Sequence, residues 1–124
     1  MKKQINSINA PAALGPYSQA IEVGNFVFAS GQIPLDPKTG ELEADITKAT
    51  KLVLTNMQAV LKEAGATFDN VVKTTVFLAD LNDFAEMNKA YETFFNAPYP
   101  ARSTVQVAKL PKNSVVEIEC IACK

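Results

Sequence analysis

The chain has 124 residues, 48% of them apolar, enough for one domain spanning residues 1–124 with a sizeable core. Its 12 basic and 13 acidic side chains give a net charge of −1, so there is no basic field to draw in nucleic acid. Histidine is absent, which excludes Ser-His-Asp triads, Cys-His pairs and histidine-ligated metal centres.

Met1, Lys2 and Lys3 have no apolar run behind them, so no signal peptide is expected. No stretch reaches the length that spans a bilayer, and the chain reads as soluble and cytoplasmic. Asn9 to Ser18 is irregular, with Pro11, Gly15 and Pro16. Ala20 to Val23 and Phe26 to Ser30 flank Gly24-Asn25 and read as a hairpin. Asp36 to Gly40 is a tight turn. Asp45 to Ala64 is the clearest helix: Ile46, Ala49, Val53, Met57, Val60 and Ala64 make one apolar stripe, Asp45 caps its start and Gly65 follows its end. The β-branched run within Val71 to Leu78 predicts a strand. Asp83 to Phe95 is a second helix, striped by Phe84, Met87, Tyr91, Phe94 and Phe95, with a capping box from Asp83 and Glu86. Ser103 to Val107 and Val115 to Cys123 complete the pattern as strands.

The order β-β-α-β-α-β-β predicts an α+β fold, one mixed sheet with two helices on one face. The strands are nevertheless apolar on both sides. Phe26 and Phe28 oppose Val27 and Ala29, and Val116, Ile118 and Cys120 oppose Val115 and Ile121. Two helices cover only one of those faces, so the second is expected to be buried by self-association.

Few side chains remain for chemistry. Arg102 is the only arginine, and its planar fork grips a carboxylate in a way that lysine does not. Glu117 and Glu119 are two apart in a strand and share a face. A carboxylate desolvated there would orient or activate water; pairing with lysines is the structural alternative. Tyr17, the Ser30-Gly31 turn and Asn88 each have a packing or surface reading beside a site reading. Cys120 and Cys123 have C-x-x-C spacing, but on a strand they point to opposite faces and read as small core residues. The five glycines are scattered and form no phosphate-binding fingerprint.

Several segments in order carry a resemblance over Ile5 to Ala122. They are Ala10-Pro11-Ala12 through Gly15-Pro16-Tyr17-Ser18, Ala29 to Pro34, Val72 to Leu78 with Asp80-Leu81, and Phe84 to Asn88 with Tyr91. Pro100-Ala101-Arg102-Ser103 follows, running on through Leu110-Pro111 to Val116-Glu117-Ile118-Glu119. The sequence resembles the RidA (YjgF) family of reactive-intermediate deaminases. The resemblance implies a chorismate-mutase-like fold and a homotrimer with a central barrel and clefts between subunits. It implies hydrolysis of 2-imino acids such as 2-iminobutanoate and 2-iminopropanoate, or their enamine tautomers, to 2-keto acids and ammonia. That activity protects pyridoxal-phosphate enzymes, and no metal or organic cofactor is implied. Arg102 is implied as the carboxylate clamp, with the Thr104 backbone N–H adding a bond, and Glu117 as the group that orients water and moves its proton. Tyr17 of the adjoining subunit is implied to close the cleft, and Ser30, Gly31 and Asn88 to line it. Thr104 stands where many relatives carry cysteine, which bears on substrate preference. An endoribonuclease or translation-inhibitor role, described for some relatives, finds little support in an acidic chain with one arginine and no histidine. A non-enzymatic regulator binding a small carboxylate in the same cleft, and a holdase using exposed surface, stand as alternatives.

Overall fold

The computed structural model describes residues 1–124. Six strands form one sheet: β1 (Lys3–Ile5), β2 (Ala20–Val23), β3 (Phe26–Gln32), β4 (Val71–Leu78), β5 (Ala101–Gln106) and β6 (Val116–Cys123). Helix α1 (Ile46–Glu63) joins β3 to β4, and α2 (Phe84–Glu92) joins β4 to β5. The strand order is β1-β2-β3-β6-β4-β5. Only β4 and β5 pair in parallel, as a strand-helix-strand crossover requires, and the sheet is therefore mixed.

The amphipathic stripe of α1 decides which face is covered. Val53, Leu54, Met57 and Leu61 are fully buried, as is Met87 of α2, against Val27, Val76, Leu78, Val116, Ile118 and Ala122 of the sheet. The Asp45 side chain accepts from Lys48 N–H at 3.0 Å and caps α1. At the other end Gly65 sits at φ 74°, and the N–H groups of Gly65 and Ala66 return to the carbonyls of Lys62 and Leu61. The opposite face of the sheet is bare. Phe26 is 46% exposed, Phe28 44% and Val105 43%, with Phe77 and Ile121 half-buried beside them. No helix is long and apolar enough to cross a membrane.

Three expectations change. Strand β1 has no alternating pattern to announce it; it pairs with β2 over Lys3 to Ile5. The second helix is shorter at both ends. Asp80 caps a 3-10 turn over Leu81–Asp83, so Asp83 is already inside a turn and makes no capping bond. Beyond Glu92, short returns from Thr93 and Phe94 N–H to the carbonyls of Ala90 and Tyr91 stop the helix. Phe94 and Phe95 then pack edge-on against Phe68, and Phe95 also stacks on Tyr91, so the apolar contacts continue past the helix end. Finally, β5 begins at Ala101, so Arg102 lies within a strand, and Val115 lies before β6 and packs against the core.

The irregular Asn9 to Ser18 segment is tied down by one buried amide. Gln19 accepts from Ser7 N–H at 2.7 Å and donates to the carbonyls of Ser7 at 3.1 Å and Pro11 at 2.9 Å. Gln19→Ala is expected to cost about 2–3 kcal/mol through these lost bonds. It should also open residues 6–18 to limited proteolysis. An unchanged melting temperature and cleavage rate would mean the segment is held by other contacts.

Candidate active site

Arg102 on β5 lies in register with Thr74 of β4, and Thr74 with Cys120 of β6. Thr74 and Cys120 are buried beneath the helices, so Arg102 projects to the helix-bearing side. There its Cζ lies 4.9 Å from the ring centroid of Tyr91 and 5.6 Å from that of Phe84, both on α2. The two ion pairs of the chain, Lys89–Glu86 and Lys124–Glu22, leave the guanidinium without a carboxylate partner. Asn88, Tyr91, Glu92, Tyr99, Pro100 and Arg102 line a depression of about 360 Å³.

Thr104 shares that side of β5, two residues along. Its hydroxyl oxygen is buried and has no hydrogen-bond partner. Its backbone is also unpaired, because β5 is the last strand of the sheet. Val107 N–H donates to Leu78 O at 3.0 Å. Amide directions alternate along a strand, so the N–H of Thr104, three residues earlier, points away from β4 to the free edge.

Glu117 lies elsewhere. It alternates with the buried Val116 and Ile118 and therefore stands on the bare face. A bulge in β3 makes room for it. Ala29 pairs with Cys120 and Gln32 with Ile118, so two residues, Ser30 and Gly31, oppose the single Glu119. A Cβ at Gly31 would collide with the Glu117 carboxylate, 2.8 Å from its Cδ. This glycine is required for space, since its φ is not left-handed. Ser30 Oγ donates to Ser18 O at 2.7 Å and Ser30 N–H to Gln19 O at 2.9 Å, which fixes the strand that follows Tyr17. Tyr17, Ser30, Gly31, Ile33, Pro111 and Glu117 surround a second depression of about 400 Å³.

Burial pushes the Glu117 carboxyl above its ordinary range, and the neighbouring Glu119 adds to the rise. Burial, with Glu119 second, raises the Cys120 thiol to about 12. Both cysteines are free and their side chains project to opposite sides of β6, so they do not form a redox pair. No group of three or more cysteine or carboxylate side chains comes together in metal-holding geometry.

The sequence-predicted residues thus fall into two sets. Arg102, Thr104 and Asn88 gather at the β5 edge under α2. Glu117, Ser30, Gly31 and Tyr17 gather on the bare face at the β3 bulge. One protomer does not bring the sets together. Sequence reasoning missed three supports: the aromatic surface under Arg102, the Gln19 clasp, and the turn at Lys112 and Asn113. Both turn residues have positive φ, 56° and 57°, next to Pro111 in the wall beside Glu117. Pro111, Asn113 and Ser114 are the sequence signals for that turn.

Comparison with known proteins gives one consistent family. A family model described as Endoribonuclease L-PSP matches residues 7–124. The 2-iminobutanoate/2-iminopropanoate deaminase of Escherichia coli K12 is 51% identical over 127 aligned residues, covering 100% of this chain and 99% of the relative. The structure of the E. coli YjgF gene product superposes with a TM-score of 0.95 at 51% identity, covering 98% of each chain. That of E. coli TdcF with bound serine also gives 0.95, at 48% identity and 98% of each chain.

The raised carboxyl makes a stability prediction of defined sign. Folding holds the proton on Glu117 more tightly than the unfolded chain does. Its stabilising contribution is therefore full below its ordinary value of 4.5 and is lost as pH rises through the raised folded value. Glu117→Gln is expected to be more stable than wild type near pH 7, with the difference vanishing below about pH 4. Thermal melts across that range check it; a variant less stable than wild type at neutral pH would contradict the assignment.

Proposed function

The chain belongs to the RidA (YjgF) family, and we propose that it hydrolyses 2-imino acids and their enamine tautomers to 2-keto acids and ammonia. The observation that carries this reading is the division of labour just described. An unpaired arginine fork and a free edge N–H suit a small carboxylate, while a desolvated glutamate suits water. The full-length similarity to a named deaminase and to a relative holding serine, itself a small 2-amino carboxylate, supports the same substrate class.

The two halves are joined by a neighbouring copy. The β5 edge of one protomer, with Arg102, Thr104 and Asn88, meets the β3 bulge of the next, with Glu117, Ser30, Gly31 and Tyr17. Such an edge-to-face contact is heterologous and closes into a ring, taken as a trimer from the family resemblance. It also covers the bare apolar face. Tyr17 therefore enters the cleft together with Glu117, from the same subunit. The assembly acts in the cytoplasm.

In the cleft, Arg102 binds the substrate carboxylate through two parallel hydrogen bonds and Thr104 N–H adds a third. The protonated imine carbon is electrophilic. Glu117 orients a water molecule and takes its proton as the C–O bond forms, giving a carbinolamine. That proton returns to nitrogen. As the C–N bond breaks, Glu117 takes the carbinolamine hydroxyl proton and the C=O bond forms. Ammonia leaves and carries that proton away as ammonium, and the 2-keto acid and an ionised Glu117 remain. A carboxyl held above its ordinary range by burial is a better base for this transfer than an ordinary glutamate. Positioning and one acid/base group supply roughly 10²–10⁴-fold, enough for a reaction that is not slow in water. An RNA-cleaving role has less support, because a chain of net charge −1 with one arginine and no histidine offers little to hold a phosphate backbone.

The test is a coupled assay. A serine/threonine dehydratase or an amino-acid oxidase generates 2-iminopropanoate or 2-iminobutanoate, semicarbazide traps it, and restored keto-acid formation reports hydrolysis. Glu117→Ala is expected to lower kcat by about 10²–10⁴-fold. Arg102→Lys keeps the charge and loses the fork, and should lower kcat/KM by about 10²-fold. Gly31→Ala, which keeps the fold but displaces Glu117, should cost about 10²-fold in kcat. Activity should fall as pH drops through the raised Glu117 value. Inactive wild-type protein, or near-full activity in Arg102→Lys, would overturn the reading.

A further inference from the structure

Arginine side chains are flexible, and a two-point clamp works only when the fork is presented in one plane. In this chain no carboxylate holds Arg102 in place. What lies against it is aromatic: Tyr91 at 4.9 Å and Phe84 at 5.6 Å from Cζ. Tyr91 is itself restrained on two sides. Its ring stacks on Phe95, with centroids 4.5 Å apart and planes at 24°. Its hydroxyl shares a buried 2.8 Å hydrogen bond with Thr74 Oγ1. Thr74 is fully buried and stands opposite Arg102 in the β4–β5 register. The chain of contacts therefore runs from Thr74, on the strand next to Arg102, through Tyr91 to the Arg102 guanidinium.

We propose that Tyr91 is the positioning residue that fixes the plane of the Arg102 fork, and that the Thr74 hydroxyl fixes Tyr91. The inference deepens the carboxylate-clamp reading of Arg102 and rests on it. Phe84 flanks the guanidinium from the first turn of α2 and limits its swing toward solvent. Tyr91 touches no reacting atom; it acts through Arg102, by holding the fork ready so that binding a carboxylate orders less.

Arg102 is the only arginine, so its side-chain Nε–Hε NMR signal is unique and reports the platform without any ligand. In wild type that signal should be displaced by the ring currents of Tyr91 and Phe84. The displacement should shrink in Thr74→Val and Tyr91→Phe, which keep a well-packed core, and collapse in Tyr91→Leu. Binding of 2-oxobutanoate, a stable product, gives the second readout. The dissociation constant should rise about 10-fold in Tyr91→Leu and a few-fold in Tyr91→Phe and Thr74→Val. In an Arg102→Lys background, which has no plane to orient, Tyr91→Phe should have no further effect on that constant. In the coupled assay, KM should rise more than kcat falls.

An undisplaced wild-type signal, or equal effects of Tyr91→Phe with Arg102 and with Lys at position 102, would overturn the inference and leave Tyr91 as a core residue only. Failure of wild type to bind 2-oxobutanoate would overturn it too. Loss of deaminase activity in wild type with 2-oxobutanoate binding intact would instead overturn the functional reading, and the binding and NMR results would still decide the role of Tyr91.

Discussion

Side chains alternate across a β-strand, and in this sheet that alternation sends Arg102 to the helix side and Glu117 to the bare side. A carboxylate clamp and a water-activating group that face away from each other cannot work on one substrate within one protomer. An apolar face is left open beside Glu117, and the Arg102 strand is an unprotected edge. Exposed edge, exposed face and divided site belong to one strand arrangement, and the subunit contact proposed above would resolve all three together.

Local geometry then tunes each half. At the bulge, Gly31 lacks the Cβ that would displace Glu117, and lost solvation raises the Glu117 carboxyl above its ordinary range. On the other side, an aromatic surface takes the place of a counter-charge, so Arg102 stays available for an incoming anion. An Asp or Glu beside Arg102 would have held it equally well but neutralised the fork. The orphaned Thr104 hydroxyl lies beside this same edge, in the region where substrate preference would be set.

Much of this was legible in the sequence. The stripe of α1, the Asp45 cap and the Gly65 stop all fall where periodicity and capping chemistry put them, because helix signals are local. The alternation of β3 and β6 correctly forecast a two-sided apolar sheet, and the absence of other arginines marked Arg102. What was not legible depends on partners far along the chain. Strand β1 exists through its pairing with β2 and the Gln19 clasp, neither of which leaves a pattern in Lys3–Ile5. The end of α2 is set by Phe94 and Phe95 choosing Phe68 as neighbour, and its start by Asp80 capping first. Single-residue motif matching also could not sort the site residues by sheet face. The resemblance brings Tyr17 to the cleft from the adjoining subunit, and the fold sets Ser30, Gly31 and Glu117 in the same depression as Tyr17.

The central claim is that each working site takes Arg102 from one subunit and Glu117 from the next, and complementation between two inactive variants tests it most directly. Arg102→Ala and Glu117→Ala chains, each inactive alone, would be refolded together in equal amounts and assayed for imine hydrolysis. Random assembly into closed rings puts both intact residues at about one quarter of the interfaces. Recovery of activity near that fraction of wild type is the predicted result. A mixture that forms mixed oligomers yet remains as inactive as either variant alone would contradict the account.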